Sequence, residues 1–293
     1  MALGMVPAAW AGTVSEDPDV TYQANDRVLA VVYVGSTVYI GGKFTQVMDH
    51  AGNVAVRNHL AAFDSSGNLL QWDPNASSTV YSLVYANGVV YAGGAFTKVS
   101  GKGRKHVAAI DPTTGTPTAF KPPTGVDKAV YALAATSSRV YIGGDFVSAG
   151  SYLAALNPTS GALDAGFAPQ PPDKGVRALA LSSDGGKLLV GGNFTTWGGA
   201  AQNHMTAVSS TSGGLVTWKG HPGYPVLGLA VDAASGEVFG AGAGTGGHVP
   251  AWNQSDGTQV WSAQTDGNVE AVALLDGVLY VGGHFNNYCD GGG

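Results

Sequence analysis

Three features of this 293-residue chain predict an all-β fold of radially repeated sheets. A block of the form aliphatic–aromatic–x–Gly–Gly–x–Phe recurs at spacings of about fifty residues. Between its copies, short apolar strand signals alternate with turns rich in Gly, Asn, Asp and Ser. No amphipathic helix of normal length interrupts them. A unit of this size cannot bury its own apolar face, so the copies must stack on one another.

Each unit predicts four strands. The first reads Val-x-small-aliphatic: Val28-Leu-Ala-Val31, Val80-Tyr-Ser-Leu83, Val130-Tyr-Ala-Leu133, Val176-Arg-Ala-Leu179, Val226-Leu-Gly-Leu229 and Val269-Glu-Ala-Val272. Hairpin turns such as Asn87-Gly88 and Asp276-Gly277 follow it. The second strand is the recurrent block: Val38-Tyr-Ile-Gly-Gly-Lys-Phe44, Val90-Tyr-Ala-Gly-Gly-Ala-Phe96, Val140-Tyr-Ile-Gly-Gly-Asp-Phe146, Leu188-Leu-Val-Gly-Gly-Asn-Phe194 and Leu279-Tyr-Val-Gly-Gly-His-Phe285. A worn copy, Val238-Phe-Gly-Ala-Gly-Ala-Gly244, fills the gap between the last two. The third strand begins at Leu60, Val107, Leu153, Met205 and Val249, and runs into a turn opened by Asp, Asn or Ser and closed by Gly. The fourth ends on a large aromatic, Trp72, Phe120, Phe167, Trp218 or Trp261. Pro74, Pro122 and Pro169 follow two residues on and end the pairing.

Four short antiparallel strands repeated around an axis describe a β-propeller. The expected architecture is five complete four-stranded blades plus half of a sixth over residues 28–293, truncated at the C-terminus. Residues 12–27 form an N-terminal segment that could supply a ring-closing strand. Glycine weakens a strand and persists where another group approaches closely. The expected visitor at each Gly-Gly pair is a fourth-strand aromatic of the same or the adjacent blade.

Composition narrows the function. Hydrophobic residues make up 44% and charged residues 12%, which excludes disorder and supports a sizeable core. A net charge of -6 with no basic stripe excludes nucleic acid as a partner. Residues 1–11 read as the remnant of a secretory signal peptide, with Ala9-Trp10-Ala11 fitting small-x-small cleavage, and are too short to span a membrane. The single Cys289 in an exported chain predicts a disulfide to a missing segment.

Motifs with chemical content are few. G-x-S-x-G and H-E-x-x-H are absent. Gly242-Ala-Gly-Thr-Gly-Gly247 satisfies G-x-G-x-x-G, but a strand follows it where a dinucleotide site needs a helix. His59, His106, His204 and His248 recur before the third strand, with Tyr152 in the remaining copy. Equivalent positions on a ring do not converge on one ion, so these predict backbone bonding and no metal. In an up-and-down blade, the loop between strands two and three shares a face with the loop to the next blade. Asp49, Asp73, Asp127, Asp173 and Asp266 lie in those loops and are the candidates for a ligand site or an inter-blade carboxylate pair. Trp197, His221 and Tyr224 lie in the most variable of these loops and are candidates for sugar stacking or protein contact.

The unit Leu60-Ala-Ala-Phe-Asp64…Trp72-Asp-Pro-Asn75…Val80-Tyr-Ser-Leu83…Val90-Tyr-Ala-Gly-Gly-Ala-Phe-Thr97 resembles the delta-60-type repeat propellers of secreted, mainly actinobacterial, proteins. The resemblance runs from about Val28 to Phe285, implies an extracellular or cell-surface protein, and transfers no catalytic residues. A weaker likeness, at Ala109-Ile-Asp-Pro-Thr-Thr-Gly115 and Phe120, is to quinoprotein propellers. Their catalytic members carry a calcium-bound quinone supported by adjacent cysteines, which a chain with one Cys does not have. No cofactor is expected. The expectation is a secreted or cell-surface scaffold that binds a glycan or a surface protein without catalysis. The alternatives are a polysaccharide hydrolase or lyase and an inert spacer.

Overall fold

The structure, a computed structural model, describes residues 21–122 and 126–289. The predicted leader at 1–11 and the start of the N-terminal segment lie outside the described residues. All the regular structure described is β, and no helix occurs among the described residues.

Among the described residues six main sheets of antiparallel strands follow one another along the chain, with three small sheets in the connecting segments. The first holds Val28–Val34, Thr37–Gly42 and Leu60–Phe63; the second holds Val80–Ala86, Val89–Gly94 and Val107–Ile110. The third comprises Val130–Ala135, Val140–Gly144 and Leu153–Leu156; the fourth comprises Val176–Leu181, Lys187–Gly192 and Met205–Ser209. The fifth adds Gln259–Thr265 to Val226–Asp232, Glu237–Gly242 and His248–Asn253, and Tyr288–Cys289 pairs with its edge. The sixth is the hairpin Val269–Leu275 with Val278–Gly283. Its turn, like that at Asn87-Gly88, places both central residues at positive φ (49° and 76° at Asp276-Gly277), which matches the twist of the flanking strands.

The fourth strand differs from expectation. In the first four repeats it shrinks to a single bridge: Phe63 with Leu69, Ile110 with Pro117, Leu156 with Leu163, and Val208 with Leu215. The chain then leaves the sheet to drive its aromatic into the core, and Trp72, Phe120, Phe167 and Trp218 are all buried there. Trp72, Phe120 and Phe167 meet the tyrosine of their own second strand edge-on, at ring separations of 4.9, 5.4 and 5.3 Å. Among the described residues, the fifth repeat keeps a full fourth strand, and its aromatic, Trp261, is 37% exposed.

The glycine pairs also receive a different visitor. A Cβ on the first glycine would lie 2.6 Å (Gly41), 2.8 Å (Gly93), 2.5 Å (Gly143) or 2.8 Å (Gly191) from the Cγ1 of Val80, Val130, Val176 or Val226. Each is the leading valine of the next sheet. The aromatics were the wrong partners: valine from the following first strand fills this gap, because first strands, not outer ones, bring successive sheets closest. The second glycine lies against its own repeat. Its added Cβ would come within about 3 Å of the phenylalanine two residues on, at Phe44, Phe96, Phe146 and Phe194.

A hydrogen bond repeats at the same seams. Tyr39, Tyr91 and Tyr141, all buried, donate their hydroxyls to the carbonyls of Pro112, Pro158 and Ser210, each in the third-strand turn of the following repeat. Stacked in this way, the six first strands together line one cleft of about 480 Å³.

Candidate functional site

The loops between strands two and three and those preceding each first strand share one end of the sheets, joined by a recurring cap. Asp127 Oδ1 accepts from the amides of Val147 and Ser148 at 2.8 and 3.1 Å. Asp173 Oδ1 accepts from Thr195 and Thr196 at 2.8 and 3.0 Å. Asp266 Oδ1 accepts from Asn286 and Asn287 at 2.7 and 3.0 Å. In the first two repeats Asn25 and Ser77 do the same for the two amides after Phe44 and Phe96. Partial burial pulls the Asp127 and Asp173 carboxyls upward, but their hydrogen bonds together outweigh it and hold both below the usual carboxylate range. At Asp266 the amide of Asn287 leads in lowering the pKa.

Three of the five candidate aspartates are therefore turn caps that tie the two loop classes together. Asp49 is a fourth cap, closing its own hairpin through Asn53 and Ala51. Asp73 stands exposed between Trp72 and Pro74.

The loop aromatics are placed in a way that removes one of them from ligand contact. Trp197 is fully buried, edge-on to Phe194 at 5.4 Å, in a short strand pairing Thr196–Trp197 with Ala200–Ala201. Expected as a stacking surface, it is core, because its strand folds it under the loop. Tyr224 lies flat on His248, 3.9 Å apart at 4°, and would meet a Cβ on Gly242 at 2.6 Å. It occupies the space that the block phenylalanine fills elsewhere, since the worn fifth copy has Gly244 at that position. His221 is exposed, with Nδ1 2.9 Å from the Met205 carbonyl.

Three of the four recurring histidines bond to backbone, while His248 stacks on Tyr224. His59 and His204 hold φ of 66° and 58° and aim Nδ1 at the carbonyls of Gly42 and Gly192, at 3.1 and 3.3 Å. His106 aims Nδ1 at Val126, and Tyr152 takes the same left-handed backbone at φ 75°. No three His, Cys, Asp or Glu side chains are grouped as metal ligands among the described residues.

A second constellation escaped the sequence reading. Every first strand carries a bulge at the residue after its leading valine, so that two residues oppose one across the pair. Bulges re-aim a side chain. The residues so placed are Leu29, Tyr81, Tyr131, Arg177, Leu227 and Glu270, and all six line the central cleft. Three of them form a continuous wall. The rings of Tyr81 and Tyr131 lie 4.7 Å apart, and the Arg177 guanidinium sits 4.1 Å above the Tyr131 ring. Asp145 grips that guanidinium through both oxygens, at 2.9 and 3.2 Å. Burial, followed by the nearby Asp145 charge, raises the Tyr131 hydroxyl above its ordinary value, so it stays protonated and able to donate. Glu270, in the sixth sheet, lies 3.1 Å from His284 Nδ1. The signal was present as the variable x of Val-x-small-aliphatic. A regular strand gives that position no special direction, so the sequence alone does not single it out.

No protein-family model and no curated protein matches the sequence. Among solved structures the chain is similar to the computationally designed Ika8 protein, crystallised in P63, with a TM-score of 0.52 and 13% identity over 87% of this chain and 92% of that one. At that identity the likeness shows the fold alone. No helix among the described residues is long and apolar enough to cross a membrane.

Proposed function

We propose that the chain is an exported β-propeller scaffold of the delta-60 repeat type that binds a glycan, without catalysis, in its central cleft. Six successive sheets whose first strands line one cleft support the propeller reading. The observation that carries the binding reading is the bulge in every first strand, which turns Tyr81, Tyr131 and Arg177 toward that shared space. Sugar rings have an apolar face and a polar rim. Two tyrosine plates accept the face, and a planar Arg–Asp pair offers donors and acceptors in fixed directions to the rim. The hydrolase alternative draws little support from Asp49, Asp127, Asp173 or Asp266, each of which has its Oδ1 engaged by backbone amides as a turn cap.

The test is a glycan array probed with the whole chain and with Tyr131→Ala and Arg177→Ala. Binding is expected to weaken about tenfold or more in each variant, the loss of one stacking or charge-assisted contact. A silent array, or glycan binding indifferent to both substitutions, would sink the reading.

A further inference from the structure

Among the described residues that line the central cleft, only Arg177 and Glu270 are charged. An arginine beside two tyrosines would ordinarily mark a receptor for carboxylates, since its planar fork takes two oxygens at once. Here the fork is filled from within. Asp145 accepts from both terminal nitrogens of Arg177, at 2.9 and 3.2 Å, and the pair is half-buried. The backbone leaves room for it: a Cβ on Gly175 would strike Asp145 Oδ1 and lie 2.7 Å from a terminal nitrogen of Arg177. The pairing belongs to this one place. At the position of Asp145 the other blocks carry Lys43, Ala95, Asn193, Ala243 and His284, so the single acid stands beside the single bulge arginine. Glu270 is not matched in this way. Its Oε1 accepts from His284 Nδ1 at 3.1 Å, but both side chains are exposed, and a neutral imidazole donates a hydrogen bond without supplying a charge. The loops entering the first strands do not reverse the balance. Asp26-Arg27, Asp127-Lys128 and Asp173-Lys174 are adjacent opposite charges, and Asp266 adds an acid. A carboxylate entering the cleft therefore meets an unmatched acid and an arginine already occupied.

Resting on the glycan reading above, we propose that the cleft takes an uncharged glycan and rejects chains of uronic acids. Asp145 is the positioning residue. It cancels the Arg177 charge and holds the guanidinium over the Tyr131 ring, leaving the remaining N–H groups to neutral sugar hydroxyls. Glu270 supplies the repulsion. Specificity of this kind comes as much from what is turned away as from what is held.

Titration calorimetry on the full chain tests this. The probes are cello-, manno- and galacto-oligosaccharides, each set beside the same oligosaccharide with its primary hydroxyls oxidised to carboxylates. A neutral member of the set should bind, and its oxidised partner should bind roughly fivefold more weakly, the scale of one exposed charge. Added salt should narrow that gap. Asp145→Asn loosens the hold on the Arg177 fork and should move the ratio of oxidised to neutral affinity about tenfold toward the acid. Glu270→Gln should move the ratio the same way by about threefold. If circular dichroism shows Asp145→Asn to misfold, Glu270→Gln, at an exposed side chain, carries the test. An oxidised partner that binds as tightly as its neutral parent overturns the proposal. So does a ratio that neither substitution moves, which would make the rejection one of shape. In both cases the glycan reading stands if Tyr131→Ala still weakens the neutral sugar. Silence toward every member of the set overturns both.

Discussion

Gly143 and Gly282 hold the same place in the recurrent block, opposite Ala132 and Ala271, yet substitution should move stability in opposite directions. An alanine Cβ at Gly143 would lie 2.5 Å from Val176 Cγ1, 3.1 Å from its Cβ and 3.4 Å from Leu179 Cδ1. Carbon atoms rest at about 3.5–4.0 Å, so the overlap approaches an ångström. Rotation cannot relieve it, because valine is stiff at χ1 and its own Cβ is one of the obstacles. Forcing one methyl into such a seam costs ~1–3 kcal/mol. Losing a glycine from the unfolded chain offsets ~0.4–1 kcal/mol of that. The net expectation for Gly143→Ala is a loss of about 1–2 kcal/mol. At Gly282, where nothing lies within 4 Å, only the offset remains, and Gly282→Ala should gain ~0.4–1 kcal/mol. Urea titrations at dilute protein, compared by midpoint at constant slope, measure both. Adding Val176→Ala to Gly143→Ala should recover part of the loss as a coupling above about 0.5 kcal/mol. If Gly282→Ala destabilises as much as Gly143→Ala, the glycine requirement is intrinsic to the strand and the valine-in-glycine account is wrong.

Two further outcomes follow from the same geometry. Trp72→Ala removes a buried ring whose Nε1 donates to the Asp111 carbonyl at 3.0 Å, and should cost ~3–5 kcal/mol, against about 1 kcal/mol or less for the exposed Trp261→Ala; thermal unfolding separates them. Acidification should destabilise in two stages. The first involves His59, His204 and His248, whose pKa burial depresses: their stabilising share is lost as pH falls below the unfolded value of ~6.5 toward the folded one. The depressed cap aspartates stabilise above their unfolded pKa of ~3.9, and that share disappears as pH falls through the folded values. Urea midpoints against pH for Asp127→Asn/Asp173→Asn/Asp266→Asn should show a smaller second stage, the rest coming from other depressed aspartates such as Asp49 and Asp64, and an unchanged first.

Much of the fold could be read because period and punctuation carry it. The alternation of Val80-Tyr-Ser-Leu83, the Asn87-Gly88 turn and the Gly-Gly strand each specify local backbone, and the sheets lie where those signals put them. Partners across a seam were harder to assign. Nothing in Gly143 itself says whether valine or an aromatic approaches it, since both are apolar and both recur once per repeat. The site was harder still. Asp127 and Asp173 look like chemistry in a one-dimensional string, and only the amides after Phe146 and Phe194, some twenty residues away, reveal them as caps. Trp197 looked like a surface ring because it sits in a loop, and burial is a property of the loop's own small sheet.

The fifth repeat separates what the scaffold demands from what it leaves free. It has lost the block phenylalanine at Gly244, and Tyr224 has taken over that volume from a different loop. It has Gly223 where other repeats carry an Asn, Ser or Asp cap. Its leading valine is nevertheless unchanged, and Val226 seats at Gly191 like the rest. The seam valine is therefore kept, while the volume beside the second glycine is required but its chemical source is negotiable. The bulge position behaves in the opposite way, running Leu29, Tyr81, Tyr131, Arg177, Leu227 and Glu270 around one cleft, with no volume, charge or polarity held constant. A position that every repeat aims at the same space, and that no rule of packing fixes, is where a scaffold of this kind can carry specificity. Under the proposed glycan reading, the contact falls at Tyr81, Tyr131 and Arg177, where two rings and a guanidinium stack along the cleft.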